Sequence, residues 1–247
     1  MEDRNVFDES KIDTTTAVGV LERTTAEAQK VIMPFEYAED EHYYAEALGD
    51  IKRKPFYDFV KRAMDIILSA FGLIVTSIPM IIIAILVKCT SPGPVFYKQE
   101  RLGLNGKPFM LIKFRTMVDN AEKDGARWSL GDVDNRITKL GSFLRATRFD
   151  ELPQLWTCLV GTLSIVGPRP EREMFYDKFE EHIHGFRERL KVKPGLTGLA
   201  QINGGYDLRP EEKIVYDVEY IKNRSIWQDI KIIFGTFAVV LFRRGAK

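Results

Sequence analysis

The sequence predicts an α+β, mainly helical, membrane-associated protein. Three observations carry that expectation. A 22-residue run without a charge, Ile66–Val87, lies between basic clusters. Two apolar runs flank Asn105-Gly106, and helix-period apolar spacing recurs through the second half of the chain.

The 247 residues suffice for one sizeable core with a tail attached. The near-neutral total conceals an asymmetry. Residues 1–50 hold 13 Asp/Glu against 4 Lys/Arg, whereas the remainder carries a net charge of +10. A basic body suits anionic partners: nucleic acid, acidic lipid head groups or phosphorylated substrates. Residues 1–50 read as an acidic, weakly ordered extension with no signal peptide, in which Phe35, Tyr37, Tyr43 and Tyr44 are candidates to anchor a short helix. Two cysteines, Cys89 and Cys158, make no disulfide framework. His42, His182 and His184 are too scattered in sequence to suggest zinc and read as surface residues.

Residues 51–90 form a second unit, a basic approach followed by the apolar run. As a straight helix the run would reach about 33 Å, enough to cross a bilayer core. Lys/Arg flank both ends, so charge bias selects no crossing direction. Ser77-Ile78-Pro79 sits at the midpoint, where proline removes a backbone donor. A kinked spanning helix and a helix–break–helix that returns to its own face both satisfy these features.

Residues 91–247 form the third unit. Val95–Gln99 and Phe109–Phe114 read as a β-hairpin closed by Asn105-Gly106, and residues 119–136 as loop and short helix. Arg145 and Arg148 then precede Asp150-Glu151, with Pro153 and Leu152, Leu155, Trp156 and Leu159 following at helical spacing. Carboxylates at a helix N-terminus are favoured by the macrodipole. Adjacent positions do not face each other across a substrate, so one nucleophile beside one metal ligand suits the spacing better than a glycosidase pair. A capped helix start flanked by ion pairs accounts for the same residues. Gly167-Pro168-Arg169-Pro170 is a rigid turn presenting a guanidinium suited to phosphate. Phe175–Leu190 reads as a charged helix. Glycines at 195, 198, 204 and 205 make backbone N–H groups approachable, as phosphate loops require, although no P-loop motif occurs. Pro210–Lys222 is an amphipathic helix. The uncharged Ile232–Phe242 stretch is too short to span and reads as an interfacial helix.

From Lys61 to Arg243 the chain resembles the bacterial sugar transferase family, the monotopic polyprenyl-phosphate phosphoglycosyl transferases. The motifs that carry the resemblance are Lys61-Arg62 with Asp65, Lys113-Phe114-Arg115-Thr116-Met117, Asp150-Glu151, Gly167-Pro168-Arg169-Pro170 and Pro194-Gly195-Leu196-Thr197-Gly198. The resemblance implies an enzyme of the bacterial inner membrane, on its cytoplasmic face, that starts polysaccharide or glycoconjugate synthesis. It implies a re-entrant helix broken at Ser77 and Pro79, and Mg²⁺ as cofactor. Asp150 would attack the sugar-linked phosphate of a UDP-sugar, releasing UMP, and pass the phosphosugar to polyprenyl phosphate. Glu151 would hold the metal, and Lys113, Arg115, Arg145, Arg148, Arg169 and Gln201 would bind substrate. Two features depart from the family pattern: Ile78 separates Ser77 from Pro79, and Arg115 stands where lysine is common. The extra upstream transmembrane helices of larger members are not matched, and homo-oligomerisation is left open. A non-catalytic membrane scaffold is the competing class. Nucleic acid is not expected as a partner, because basic and aromatic residues do not interleave.

Overall fold

The computed structural model describes residues 31–119, 121–122, 126–127 and 134–242. Residues 1–30 of the acidic extension, and 120, 123–125 and 128–133 of the loop expected over 119–136, lie outside the described residues. The architecture is helical with four two-stranded sheets, so the α+β, mainly helical expectation holds.

Helix α1, Pro55–Thr90, dominates the molecule. Its 36 residues reach roughly 54 Å at 1.5 Å per residue. Pro55 opens it without cost, and the helix then runs uninterrupted through Pro79. No interruption of the helical backbone marks the break expected at Ser77 and Pro79. Both residues are exposed along a continuous helix, where Ser77 Oγ donates to the Ile74 carbonyl at 2.8 Å and Thr76 Oγ1 to that of Gly72 at 2.7 Å. A proline removes one N–H. Packing on both sides of Pro79 holds the helical path.

That packing runs along much of α1. Lys61 Nζ donates to the Val166 carbonyl and pairs with Asp229, each at 2.9 Å. Asp65 accepts from Ser164 Oγ at 3.0 Å and Ile165 N at 2.9 Å. Gly72 lies against Leu155, and Ile83 and Val87 are buried with Phe114 and Leu144. Both ends of α1 thus rest on the same body. Its other face exposes Ile67, Phe71, Ile74, Ile78, Ile81 and Ile85. Among the described residues it is the one helix long and apolar enough to cross a membrane.

The hairpin forms as expected. Strands β3 (Phe96–Leu102) and β4 (Pro108–Phe114) pair antiparallel from Phe96↔Phe114 to Leu102↔Pro108. Asn105 (φ 56°) and Gly106 (φ 73°) take the left-handed conformations that favour these residue types. Helices α2 (Lys139–Thr147) and α3 (Gln154–Val160) follow. Strand β6 (Ser164–Val166) pairs in parallel with β8 (Gly195–Thr197). Between them the single helix expected over 175–190 is corrected. Helix α4 (Glu173–Glu180) ends before the two-residue strand β7, Ile183–His184, and Gly185 (φ 85°) then turns the chain into a 3-10 segment, Phe186–Lys191. Helices α5 (Leu199–Asn203), α6 (Pro210–Asn223) and α7 (Ile226–Phe242) complete the fold.

Residues 31–50 are an extended strap on this body. Strand β2, Tyr43–Tyr44, adds in parallel to β7, and β1, Val31–Ile32, pairs with β5, Ala126–Arg127. Phe35, Tyr37 and Tyr43 pack on the core formed by Phe175, Phe179, Ile183 and Phe186, so the aromatic residues anchor an extended segment instead of a helix. The same pairing stacks His42 on His182 and His184, with ring centroids 5.7 and 5.2 Å apart. Residues scattered in sequence thus become neighbours, although among the described residues no three-ligand metal cluster results.

Candidate active site

The dyad is positioned by a sequence of local decisions. Thr138 caps α2, its side chain accepting from Gly141 N at 2.9 Å. Gly141 meets the Thr116 carbonyl so closely that a Cβ there would lie 1.9 Å from the oxygen. Helix α2 therefore sits directly on the chain leaving β4, and Arg145 Nε reaches Thr116 Oγ1 at 2.9 Å. Arg148 ends α2 in the left-handed conformation (φ 60°), its N–H returning to the Arg145 and Leu144 carbonyls. For a non-glycine residue this conformation costs about 1 kcal/mol, and such strain clusters at functional sites. A 3-10 turn, Phe149–Glu151, follows at once and runs into α3.

Asp150 and Glu151 are both buried, at 6% and 8% exposure, yet their surroundings differ. Glu151 is gripped by the Arg169 guanidinium through two nitrogens and by Lys113 Nζ at 3.2 Å, with Arg148 at 4.0 Å. Burial raises its pKa, but the charges of Arg169 and Lys113 outweigh burial and hold the carboxyl well below the usual range. Asp150 Oδ1 has no partner. Burial first, and the neighbouring Glu151 charge second, push the Asp150 pKa up. The environments of the two carboxyls thus push their pKa values in opposite directions.

Both line a cavity of about 380 Å³, within the range of small-ligand sites. Lys113, Arg115, Arg145, Arg148, Arg169 and Gln201 line it too, so all six expected binding residues border one cavity. Gln201 Oε1 is buried without a partner, its amide reaching only the Leu196 carbonyl at 3.4 Å. The Arg115 guanidinium commits its two terminal nitrogens to the end of α1, while its Nε is left without a partner. It clasps the Ser91 carbonyl and Oγ at 2.8 Å, together with the Pro92 and Val87 carbonyls. Arg115 ties the end of α1 to β4. Its terminal nitrogens serve as an anchor, because a buried guanidinium meets the free carbonyls of a helix C-terminus.

The glycine-rich stretches also serve a different purpose from the one expected. Gly195 N donates to the Pro168 carbonyl and Gly167 N to that of Thr197, each at 2.8 Å. A Cβ on Gly195 would lie 2.1 Å from Gly167 N, and one on Gly198 2.3 Å from Gly167 O. These glycines let the two turns mate backbone to backbone, which aims Arg169 at Glu151. Sequence reasoning missed Arg189 altogether. Its Nη2 donates to the Arg169 carbonyl at 2.9 Å and pairs with Asp217 at 2.7 Å, both side chains being 1% exposed. The one signal for it was an arginine among helix-period apolar residues.

The site thus joins a buried carboxylate with an unpartnered oxygen to a second, cation-held carboxylate in a basic cavity, on a body carrying a long apolar helix. Comparison with known proteins agrees. The bacterial sugar transferase family model matches residues 56–243. The chain is 39% identical over 210 residues to the UDP-N-acetylgalactosamine-undecaprenyl-phosphate N-acetylgalactosaminephosphotransferase of Aeromonas hydrophila, covering 84% of this chain and 49% of that protein. It is 41% identical over 208 residues to the UDP-glucose:undecaprenyl-phosphate glucose-1-phosphate transferase of Escherichia coli K12, covering 79% and 45%. It is 46% identical over 181 residues to the enzyme of the same name from Klebsiella pneumoniae, covering 71% and 39%. The chain spans about half the length of these relatives, or less. With the family model covering most of its length and the same motifs lining its cavity, the chain belongs to the bacterial sugar transferase family.

Proposed function

We propose that the protein transfers a sugar-1-phosphate from a UDP-sugar to undecaprenyl phosphate, releasing UMP through a covalent phosphosugar–Asp150 intermediate. The observation that carries this reading is the Asp150 Oδ1, buried and unpartnered in a cavity of cations beside an ionised Glu151. In the first half, a carboxylate oxygen of Asp150 bonds to the sugar-linked phosphorus, and the bond from that phosphorus to UMP breaks. In the second, an oxygen of the lipid phosphate bonds to the same phosphorus, and the acyl phosphate bond breaks to restore Asp150. The cavity cations offset repulsion between the aspartate and the diphosphate.

The donor set fits Mg²⁺, a hard cation bound through one or two carboxylates together with substrate phosphates. Asp150 and Glu151 supply two such groups, and no larger acidic cluster competes among the described residues. Bound there, Mg²⁺ neutralises the diphosphate and supports the leaving group. The charges of Arg169 and Lys113 hold the Glu151 carboxyl below the usual range and so favour its anionic form for that role.

The membrane reading rests on α1. A helix that touches one body at Lys61, Asp65, Gly72, Ile83 and Val87 leaves no free stretch long enough for a 30 Å hydrocarbon core. It suits a helix embedded from one, cytoplasmic, face. Exposed Trp156 on α3 and Trp227, Phe234 and Phe237 on α7 add interfacial apolar surface.

The test is to incubate the purified chain with UDP-N-acetylgalactosamine or UDP-glucose, first without lipid. About one UMP per site and a phosphosugar mass on the peptide containing Asp150 are expected, with turnover once undecaprenyl phosphate is added. UMP release that strictly requires lipid, with no adduct, would establish direct transfer. No release under any condition would favour the scaffold.

A further inference from the structure

Gln154 stands where the dyad turn becomes α3. It is 1% exposed and lines the cavity, and its side-chain Nε2 has no hydrogen-bond partner. Buried amides rarely remain unpaired in folded proteins, and one that does points to a role outside the packing. Here Leu152 (φ −52°, ψ −38°) and Pro153 (φ −61°, ψ −19°) are helical, so the backbone from the dyad into α3 forms one continuous helical run. Asp150, in the 3-10 turn, and Gln154, at the start of α3, both line the same cavity.

The run therefore presents two unsatisfied atoms of opposite character to one cavity: Asp150 Oδ1, an acceptor and nucleophile, and Gln154 Nε2, a donor. They do not bond to each other. The nearest strong cations, Lys113 and Arg169, are committed to Glu151. A tetrahedral phosphoryl group meets both needs at once, offering its phosphorus to the carboxylate and a non-bridging oxygen to the amide.

We infer that Gln154 is a further catalytic residue, donating from Nε2 to a non-bridging oxygen of the phosphoryl group that Asp150 attacks. The inference rests on Asp150 being the nucleophile. A neutral donor suits this place, because it follows the phosphoryl oxygens through both halves of the reaction without neutralising Asp150. Charge gathers on those oxygens as the phosphorus transfers, and a donor already aimed at them needs no reorganisation.

The test is Gln154→Met, close in length and volume but without the N–H. In full-length protein in detergent, single-turnover UMP release from saturating UDP-N-acetylgalactosamine or UDP-glucose should slow by about 100-fold, the usual loss for one positioned donor. Half-saturation should shift far less than the rate. The thermal midpoint should stay or rise, since the variant removes an unpaired buried donor. A packing role predicts the opposite, so a lowered midpoint overturns the inference, as does a rate within threefold of wild type. Gln154→Asn, which keeps the amide but withdraws it by one methylene, should also be slow; a rate near wild type there would likewise overturn it. A wild type that gives no burst removes the nucleophile reading and this inference with it, whereas a burst at the wild-type rate in Gln154→Met removes the inference alone.

Discussion

The Arg62 guanidinium of α1 donates to the Cys158 carbonyl at 2.9 Å, at the opposite end of α3 from Asp150 and Glu151. A second bond, 2.7 Å, reaches the Leu159 carbonyl. The free carbonyls of a helix C-terminus attract cations, and here the cap comes from α1. Helix α3 therefore joins α1 at one end to the Asp150-Glu151 turn at the other.

Arg62→Met should remove that cap at a cost of about 1–2 kcal/mol. Denaturant unfolding in detergent should show the loss, and UMP release should fall with it. Arg62→Lys, which keeps the charge but reaches fewer carbonyls, should lie between. Unchanged stability in Arg62→Met would mean that the cap contributes nothing.

The placement of α1 on one body predicts that both its ends face the cytoplasm. Cys89 is exposed at the far end and serves as a native probe. Arg53→Cys in a Cys89→Ser background probes the near end. An impermeant thiol reagent should label neither in intact cells and both after permeabilisation. Labelling of one end in intact cells would make α1 a spanning helix.

Glu151→Gln should leave Lys113, Arg148 and Arg169 facing one another without their shared anion. Breaking such a buried cluster costs about 3 kcal/mol. The rate should fall and the Mg²⁺ concentration needed for activity should rise, and chelation should silence the wild type. A variant with wild-type Mg²⁺ dependence would place the ligand elsewhere.

Burial raises the Asp150 pKa above its unfolded value, so the sign of its stability effect follows. The contribution is full below the unfolded value near 3.9 and is lost as pH rises through the higher folded value. At neutral pH an ionised Asp150 therefore costs stability, and Asp150→Asn should relieve it while abolishing transfer. Melting curves in chelator should show the variant above wild type at pH 7–8, with the gap closing toward pH 4. A gap that widens on acidification would contradict the raised pKa.

Gly141→Ala should be severe. The new Cβ would lie 1.9 Å from a backbone oxygen, that of Thr116, and neither helix nor strand exit has room to withdraw. Gly72→Ala meets only the Leu155 Cδ1 at 3.0 Å, the end of a flexible side chain, and should be mild. Comparing expression and thermal midpoints of the two variants checks whether α2 must touch β4 so closely.

The local features of this protein were legible because their causes lie within a few residues. Asn105-Gly106 accepts left-handed angles, and the uncharged run Ile66–Val87 is long and apolar enough to be helical whichever way it meets the membrane. The dyad, and the basic residues that gather round it, were likewise readable as residue types. What those residues do to one another was not. Glu151 is held ionised by Lys113 from a strand 38 positions earlier and by Arg169 from a turn 18 positions later, whereas Asp150, one residue away, is left unpaired. Arg115 looked like a phosphate ligand until the end of α1 presented its carbonyls. The glycines at 195 and 198 looked like a phosphate cradle until Gly167 occupied the space. Pro79 promised a break that packing of Ile83 and Val87 on Phe114 overrode. Composition and spacing determined which groups this protein has and which short elements they form. Only the tertiary structure decided which charges are neutralised, which donors are left free and where the long helix lies, because burial and partnership are set by segments far apart in the chain.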